Sequence, residues 1–266
     1  MKKLIFFDID GTIITEGEEG RYVPESVLTA LHKLRRNGHL CFINTGRSYA
    51  EVDTGIRSLP FDGLACGCGT YITYQGEVLL SNTIPFAQGN QIIRDLEACH
   101  LEWLLEGTDS IYYSHTPYTT HIGDFQAEHK ILIPDAFHIV DPATAKDLPF
   151  DKFCLCLGEG HDFNKFRSLY EDTLTFIDRG GNFYEVVPKG FSKASGIAFL
   201  ENYFQIPHED TIAIGDSTND LPMLEYAAYS IAMGNSSKEL FDIVDHVTDS
   251  VANNGIYNAM QHLELI

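Results

Sequence analysis

The chain has 266 residues, enough for one large domain or two modest ones. Its 44% hydrophobic content is ordinary for a globular protein, and 38 acidic against 18 basic residues give a net charge of −20. That balance argues against nucleic acid or an anionic membrane surface as partners, because both require cationic patches. Met1-Lys2-Lys3 and four apolar residues do not make a signal peptide, since Asp8 interrupts the run. No stretch approaches the length of a membrane span. Six cysteines without a zinc-type spacing read as small core residues of a reducing compartment, so a cytoplasmic protein is expected.

The first predicted element is a buried strand over 4–8, from Leu4-Ile5-Phe6-Phe7. It runs into Asp8-Ile9-Asp10-Gly11-Thr12. Side chains two apart leave a strand end on the same side, and Gly11 lets the backbone turn away. Two bare carboxylates about 4 Å apart repel by about 1 kcal/mol in water and about 4 kcal/mol in a protein site. A hard divalent cation removes that cost. The pair therefore reads as one nucleophile and one acid/base sharing a Mg²⁺ site.

A helix is predicted from Pro24 to Asn37-Gly38, with Val27, Leu28, Leu31 and Leu34 on one face. A strand over 39–44 then enters Thr45-Gly46-Arg47-Ser48, followed by a predicted helix near 48–58. A hydroxyl and backbone N–H groups at a helix start make an anion site, so Thr45 and the Gly46 N–H are candidate phosphate ligands. Tyr71–Tyr74, Gln75-Gly76 and Glu77–Leu80 read as a hairpin. A helix after Pro85 carries Ile92, Ile93, Leu96 and Leu101. The stretch to 187 mixes short strands (111–113, 153–157, 183–187) with one or two helices.

Regular alternation resumes near 188. Ser192 is placed to cap a helix bearing Ile197, Leu200 and Phe204. Lys193 in its first turn opposes the helix dipole, which suggests a paired role such as neutralising phosphoryl oxygens. Lys189 is the competing candidate. Thr211–Ile214 forms another buried strand, ending in Gly215-Asp216. Asp220 follows in a first helical turn, and the Asn219 amide could hold a substrate oxygen.

These four segments, in this order, resemble the haloacid dehalogenase superfamily of phosphohydrolases, in its Cof-type branch with a type IIB cap. The resemblance extends to Met223-Leu224, Ala232-Met233-Gly234-Asn235, Val247-Thr248 and Asn254-Gly255-Ile256. The chain departs from it at Cys68, where the family often has Asn, and at Asn254-Gly255-Ile256, where it often has Asp-Gly-Val. The resemblance implies an α/β fold: a Rossmann-like parallel-sheet core, 1–82 with 188–266, and an inserted α+β cap, 83–187. Ligand sites in such sheets lie at the carboxyl ends of the strands, and the insertion is expected to close over them and select the substrate.

The implied activity is Mg²⁺-dependent hydrolysis of small phosphorylated metabolites such as sugar phosphates or nucleotides. Asp8 would attack phosphorus to form an aspartyl-phosphate, and Asp10 would protonate the leaving alcohol and then deprotonate water. Asp8, the Asp10 carbonyl and Asp216 would hold the metal, with Asp220 orienting them. Thr45, Gly46, Lys193 and Asn219 would hold the phosphoryl oxygens. Mg²⁺, Lys193 and Arg47 would offset the acidic composition locally. The alternatives are a sugar phosphomutase and a non-catalytic phospho-Asp regulator, though the latter needs neither Asp10 nor a cap. A monomer or homodimer is expected.

Overall fold

The computed structural model describes residues 2–15 and 20–266. Met1 and residues 16–19, which the expected first segment includes, lie outside the described residues. The chain divides into two compact units: Met1–Gly46, Thr54–Leu80 and Ser192–Ile266 form one, Arg47–Asp53 and Ser81–Phe191 the other. Arg47–Asp53 thus groups with the second unit.

In the first unit, β1 (Leu4–Phe7) is buried along its whole length, as an apolar run at the centre of a parallel sheet must be. Helix α1 (Glu25–Arg36) starts behind Pro24 and buries Val27, Ala30, Leu31 and Leu34. Strands β2 (Leu40–Asn44) and β3 (Gly63–Cys66) add in parallel beside β1, with Phe7 level with Ile43. The helix predicted over 48–58 is not continuous. A 3₁₀ turn covers Tyr49–Glu51, Val52 is extended, and α2 spans only Thr54–Arg57. The Glu51 carboxylate accepts from the Ser48 N–H at 2.7 Å, closing a short turn where strand–helix alternation suggests a helix. Strands β4 (Tyr71–Tyr74) and β5 (Glu77–Ser81) form the predicted hairpin. Gln75 and Gly76 both have positive φ, 50° and 86°, the signature of a two-residue I′ turn.

The second unit is built on a six-stranded, mostly antiparallel sheet. After α3 (Phe86–Ala98) come β6 (Glu102–Glu106), β7 (Ile111–Ser114), α4 (Ile122–Leu132), β8 (Phe137–Val140) and β9 (Lys152–Cys156). Then follow α5 (Phe163–Tyr170), β10 (Leu174–Asp178) and β11 (Phe183–Pro188). The sheet order is β10-β11-β9-β6-β7-β8. One face packs Trp103, Leu105, Phe153, Leu155 and Val186 against Ile92, Ile93, Leu96 and Phe166. The expected helix after Pro85 ends at Ala98, so Leu101 reaches this core from beyond it. The other face packs Leu104, Tyr113, Cys154 and Cys156 with Ile122 and Phe125.

The chain returns to the first unit with α6 (Lys193–Phe204), β12 (Thr211–Gly215), α7 (Leu221–Tyr226), β13 (Tyr229–Ala232), α8 (Lys238–Phe241), β14 (His246–Val247) and α9 (Gly255–His262). The completed sheet has the order β14-β13-β12-β1-β2-β3-β4-β5. β1 lies between β12 and β2, where the direction of winding reverses, and such switch points are where open α/β sheets bind ligands. Among the described residues no helix is long and apolar enough to cross a membrane.

Candidate active site

The sheet register brings the predicted residues to one edge. Phe7 is level with Ile214 and with Ile43, so Asp8 emerges between the ends of β12 and β2. Its N–H donates to the Ile214 carbonyl at 3.0 Å. Ser192 caps α6 as expected, its hydroxyl accepting from the Ser195 N–H at 3.2 Å. That start sends Lys193 inward. The ammonium, 2% exposed, donates to Asp8 Oδ1 and Asp220 Oδ1, each at 2.5 Å. The unfavourable charge in the first turn is thus paired with two carboxylates. Asp220, fully buried, accepts through Oδ2 from the N–H groups of Asp216 at 2.9 Å and Ser217 at 3.1 Å. It both shapes the turn after β12 and anchors the lysine.

Burial opposes the Lys193 charge, but attraction and hydrogen bonds from Asp220 and Asp8 more than offset it and hold the ammonium above its ordinary range. Burial, then repulsion from Asp220, pushes the Asp8 carboxyl up to about 7, with Lys193 pulling the other way. Carboxylate oxygens of Asp8, Asp216 and Asp220 lie within 4.8 Å of one another. Such a set of hard oxygen donors suits a divalent cation. Asp220 already accepts three hydrogen bonds, so Asp8 and Asp216 could serve such a cation as donors, with Asp220 able to orient the turn beside them.

Gly11 turns the chain away at φ 72°, and a Cβ there would fall on the Asp216 carboxylate. Gly76 has a similar backbone, φ 86°, with open space around it. Gly11→Ala and Gly76→Ala should therefore share a left-handed cost of about 1–2 kcal/mol. Only Gly11→Ala should lose more, read as a larger drop in thermal midpoint. Equal drops would show that the Gly11–Asp216 approach is not tight.

Thr45 is buried at the end of β2, its N–H bonded to the Ala65 carbonyl and its carbonyl to the Cys68 N–H. No long helix follows it, so the helix-start argument for Thr45 and Gly46 does not apply. What remains is a hydroxyl and loop amides beside the strand end. Cys68 has φ 55°, a left-handed position that Asn tolerates better than Cys. The Asn219 carbonyl oxygen accepts from the Ser217 hydroxyl at 2.6 Å. Thr45, Gly46 and Asn219 share the strand-end edge but are not among the three clustered carboxylates. Asp10 is half-exposed and ion-paired with Arg21. Arg47 lies in the segment grouped with the second unit and donates to the Glu51 carbonyl at 3.4 Å. Lys189 is exposed, in the second unit.

Three supporting residues escaped the sequence reading. Asn44 Nδ2 holds the Lys193 carbonyl at 2.9 Å. Asn235 donates to the Gly11 carbonyl at 2.8 Å and accepts from the Val251 N–H at 3.0 Å, pinning the turn. Arg21 is the third. Asn44 carried a signal as a polar residue closing an apolar strand, and Asn235 lies in a segment of the family resemblance, but neither was given a role.

The haloacid dehalogenase-like hydrolase family matches residues 5–260. YkrA of Bacillus subtilis (strain 168), named a phosphatase by inference, is 30% identical over 99% of this chain and 98% of its own. BT1666 from Bacteroides thetaiotaomicron, a phosphatase of the haloalkanoate (HAD) superfamily, superposes with a TM-score of 0.84 at 26% identity. That match covers 100% of this chain and 96% of the other. The HAD subclass IIB sugar phosphatase BT4131 superposes at 0.79 and 25% identity, over the whole of both chains. Matched from end to end by phosphatases that share its fold, this chain belongs to the haloacid dehalogenase-like hydrolases, in their Cof-type branch, and is a phosphoric monoester hydrolase.

Proposed function

We propose that the chain hydrolyses small phosphate monoesters, sugar phosphates or nucleotides among them, by Mg²⁺-assisted transfer of the phosphoryl group to Asp8. The observation that carries this is Lys193 bridging Asp8 and Asp220 beside Asp216, at the end of the central strand. Asp8, the Asp10 carbonyl and Asp216 would hold the metal, which when bound would offset the negative charge between carboxylate and phosphate.

The residues divide the work as follows. An Asp8 oxygen attacks phosphorus; the bond to the alcohol oxygen breaks, and the Asp10 carboxyl gives that oxygen its proton. Asp10 then takes a proton from the water that cleaves the aspartyl-phosphate. Lys193, the Thr45 hydroxyl, the Gly46 N–H and the Asn219 amide hold the phosphoryl oxygens. The inserted unit is proposed as the element that selects the substrate, and the sugar phosphatase BT4131 supports sugar phosphates as the first class to test.

The test is phosphate release from a panel of phosphorylated metabolites near neutral pH, with Mg²⁺ and with chelator. Release that needs Mg²⁺ and ranks the panel is expected. Folded, Mg²⁺-loaded protein that releases phosphate from no compound, but moves it between sugar hydroxyls, would replace hydrolysis by transfer.

A further inference from the structure

The Arg21 guanidinium donates to Asp10 Oδ1. The contact is long-range in effect although close in sequence, because two local devices create it. The first is the tight turn after Asp10. The N–H groups of Ile13 and Ile14 both donate to the Ile9 carbonyl, at 2.9 and 3.0 Å, and the Gly11 N–H donates to Ile14 at 3.0 Å. The second is a clasp at Thr15, whose N–H donates to the Tyr22 carbonyl at 3.0 Å. The Thr15 hydroxyl accepts from the Tyr22 N–H at 3.2 Å and donates to the Gly20 carbonyl at 3.0 Å. Thr15 is buried, so the clasp is sheltered from water. Arg21 is thereby returned to Asp10.

The local charge explains why a cation is useful there. Asp8, Asp216 and Asp220 cluster beside Asp10, and Lys193 is already engaged by two of them. Asp10 repels Asp8. Arg21 adds a positive charge on the Asp10 side of that acidic group. A planar guanidinium fixes a carboxylate in direction as well as position.

We propose that Arg21 is a positioning residue for Asp10, holding one carboxyl oxygen so that the other faces the leaving-group oxygen. The inference rests on the reading of Asp10 as the acid/base. The Arg21 side chain is 44% exposed, so shortening it removes no core packing. The proton from Asp10 matters when the alcohol leaves as a poor alkoxide, and little when it leaves as para-nitrophenolate. kcat/KM reports the step in which the phosphorus–oxygen bond breaks.

The experiment compares para-nitrophenyl phosphate with the best-hydrolysed sugar phosphate, in Arg21→Ala, Arg21→Lys and Asp10→Asn, with Mg²⁺ saturating. For Arg21→Ala, kcat/KM on the sugar phosphate should fall about tenfold or more, and on para-nitrophenyl phosphate less than about threefold. Arg21→Lys should recover part of the loss, and Asp10→Asn should show the same selectivity more strongly. An equal loss on both substrates, or none, with Asp10→Asn still selective, overturns the role of Arg21 alone. Asp10→Asn without selectivity overturns the reading of Asp10, and this inference with it.

Discussion

Asp8→Asn should abolish phosphate release, by on the order of 10⁴-fold or more, while the protein stays folded. The amide has the size of the carboxylate but cannot attack phosphorus. It should also not weaken the fold. In the folded chain Asp8 keeps its proton up to about 7, against an ordinary 3.8, because burial and Asp220 disfavour its charge. The folded state therefore binds more protons than the unfolded one between those values, and stability falls as pH rises through that window. An amide removes that slope, so in metal-free protein the variant should melt at the same temperature or higher at pH 7 and above. The measurement is phosphate release beside a thermal melt, with mass spectrometry for a phosphorylated chain. Turnover near the unaltered rate would displace Asp8 as nucleophile, and loss of activity with a collapsed melt would not count for it.

The largest stability effect is expected in the second unit. Lys152, on β9, pairs with Glu106 of β6 and, at 2.9 Å, with Glu185 of β11. All three are buried to within a few per cent. Arg179 also reaches Glu185, at 2.6 Å, and Cys154 donates to Glu106 at 2.9 Å. Lys152→Ala leaves the buried Glu106 without its cation, while Glu185 keeps Arg179, which should cost about 3–5 kcal/mol. At this size that is a drop of roughly 10 °C in thermal midpoint. Removing the charges together, Lys152→Met with Glu106→Leu, should recover much of it, because Glu185 keeps Arg179. A recovery no better than Lys152→Ala alone would mean that packing, not charge, is what Lys152 supplies.

The same cluster has a pH signature. Burial, then repulsion from Glu51, pushes Glu106 up to about 8 from an ordinary 4.5, against the pull of Lys152. The folded chain again holds the extra proton, so this group makes stability fall as pH rises from about 4.5 to about 8. Lys152 is held well above 10.5 and adds no slope in that window. Melts of Glu106→Gln should be flatter across it than melts of the parent. Both are best measured in the Asp8→Asn background, since Asp8 slopes the same way.

The first unit was readable because its chemistry sits where apolar runs stop. Asp8, Asn44 and Gly215-Asp216 each follow a buried strand, and Lys193 was conspicuous as a cation in a helix start. Those cues are local. Arg21, the role of Asn235 and the Glu106–Lys152–Glu185 cluster were not readable, because each is defined by a partner that only tertiary approach supplies. Glu106 lies on a strand the sequence did not suggest and Lys152 one residue before the expected 153–157, and only the register sets them opposite one another. The helix over 48–58 failed for the opposite reason. Alternation after a strand called for a helix there, but the Ser48–Glu51 cap closes a shorter turn.

The place of β1 has a consequence for how the protein is made. β1 leaves the ribosome well before its partner strand β12, which pairs Leu4 with Thr211. Until that late segment emerges, one edge of β1 is without its neighbour, and unpaired apolar edges invite wrong pairing. Asp8 and Lys193 stand 185 residues apart in the chain. A nascent chain stalled before Lys193 carries Asp8 but no lysine to bridge it, so the pair can form only after the insertion has been made and the interrupted sheet is closed.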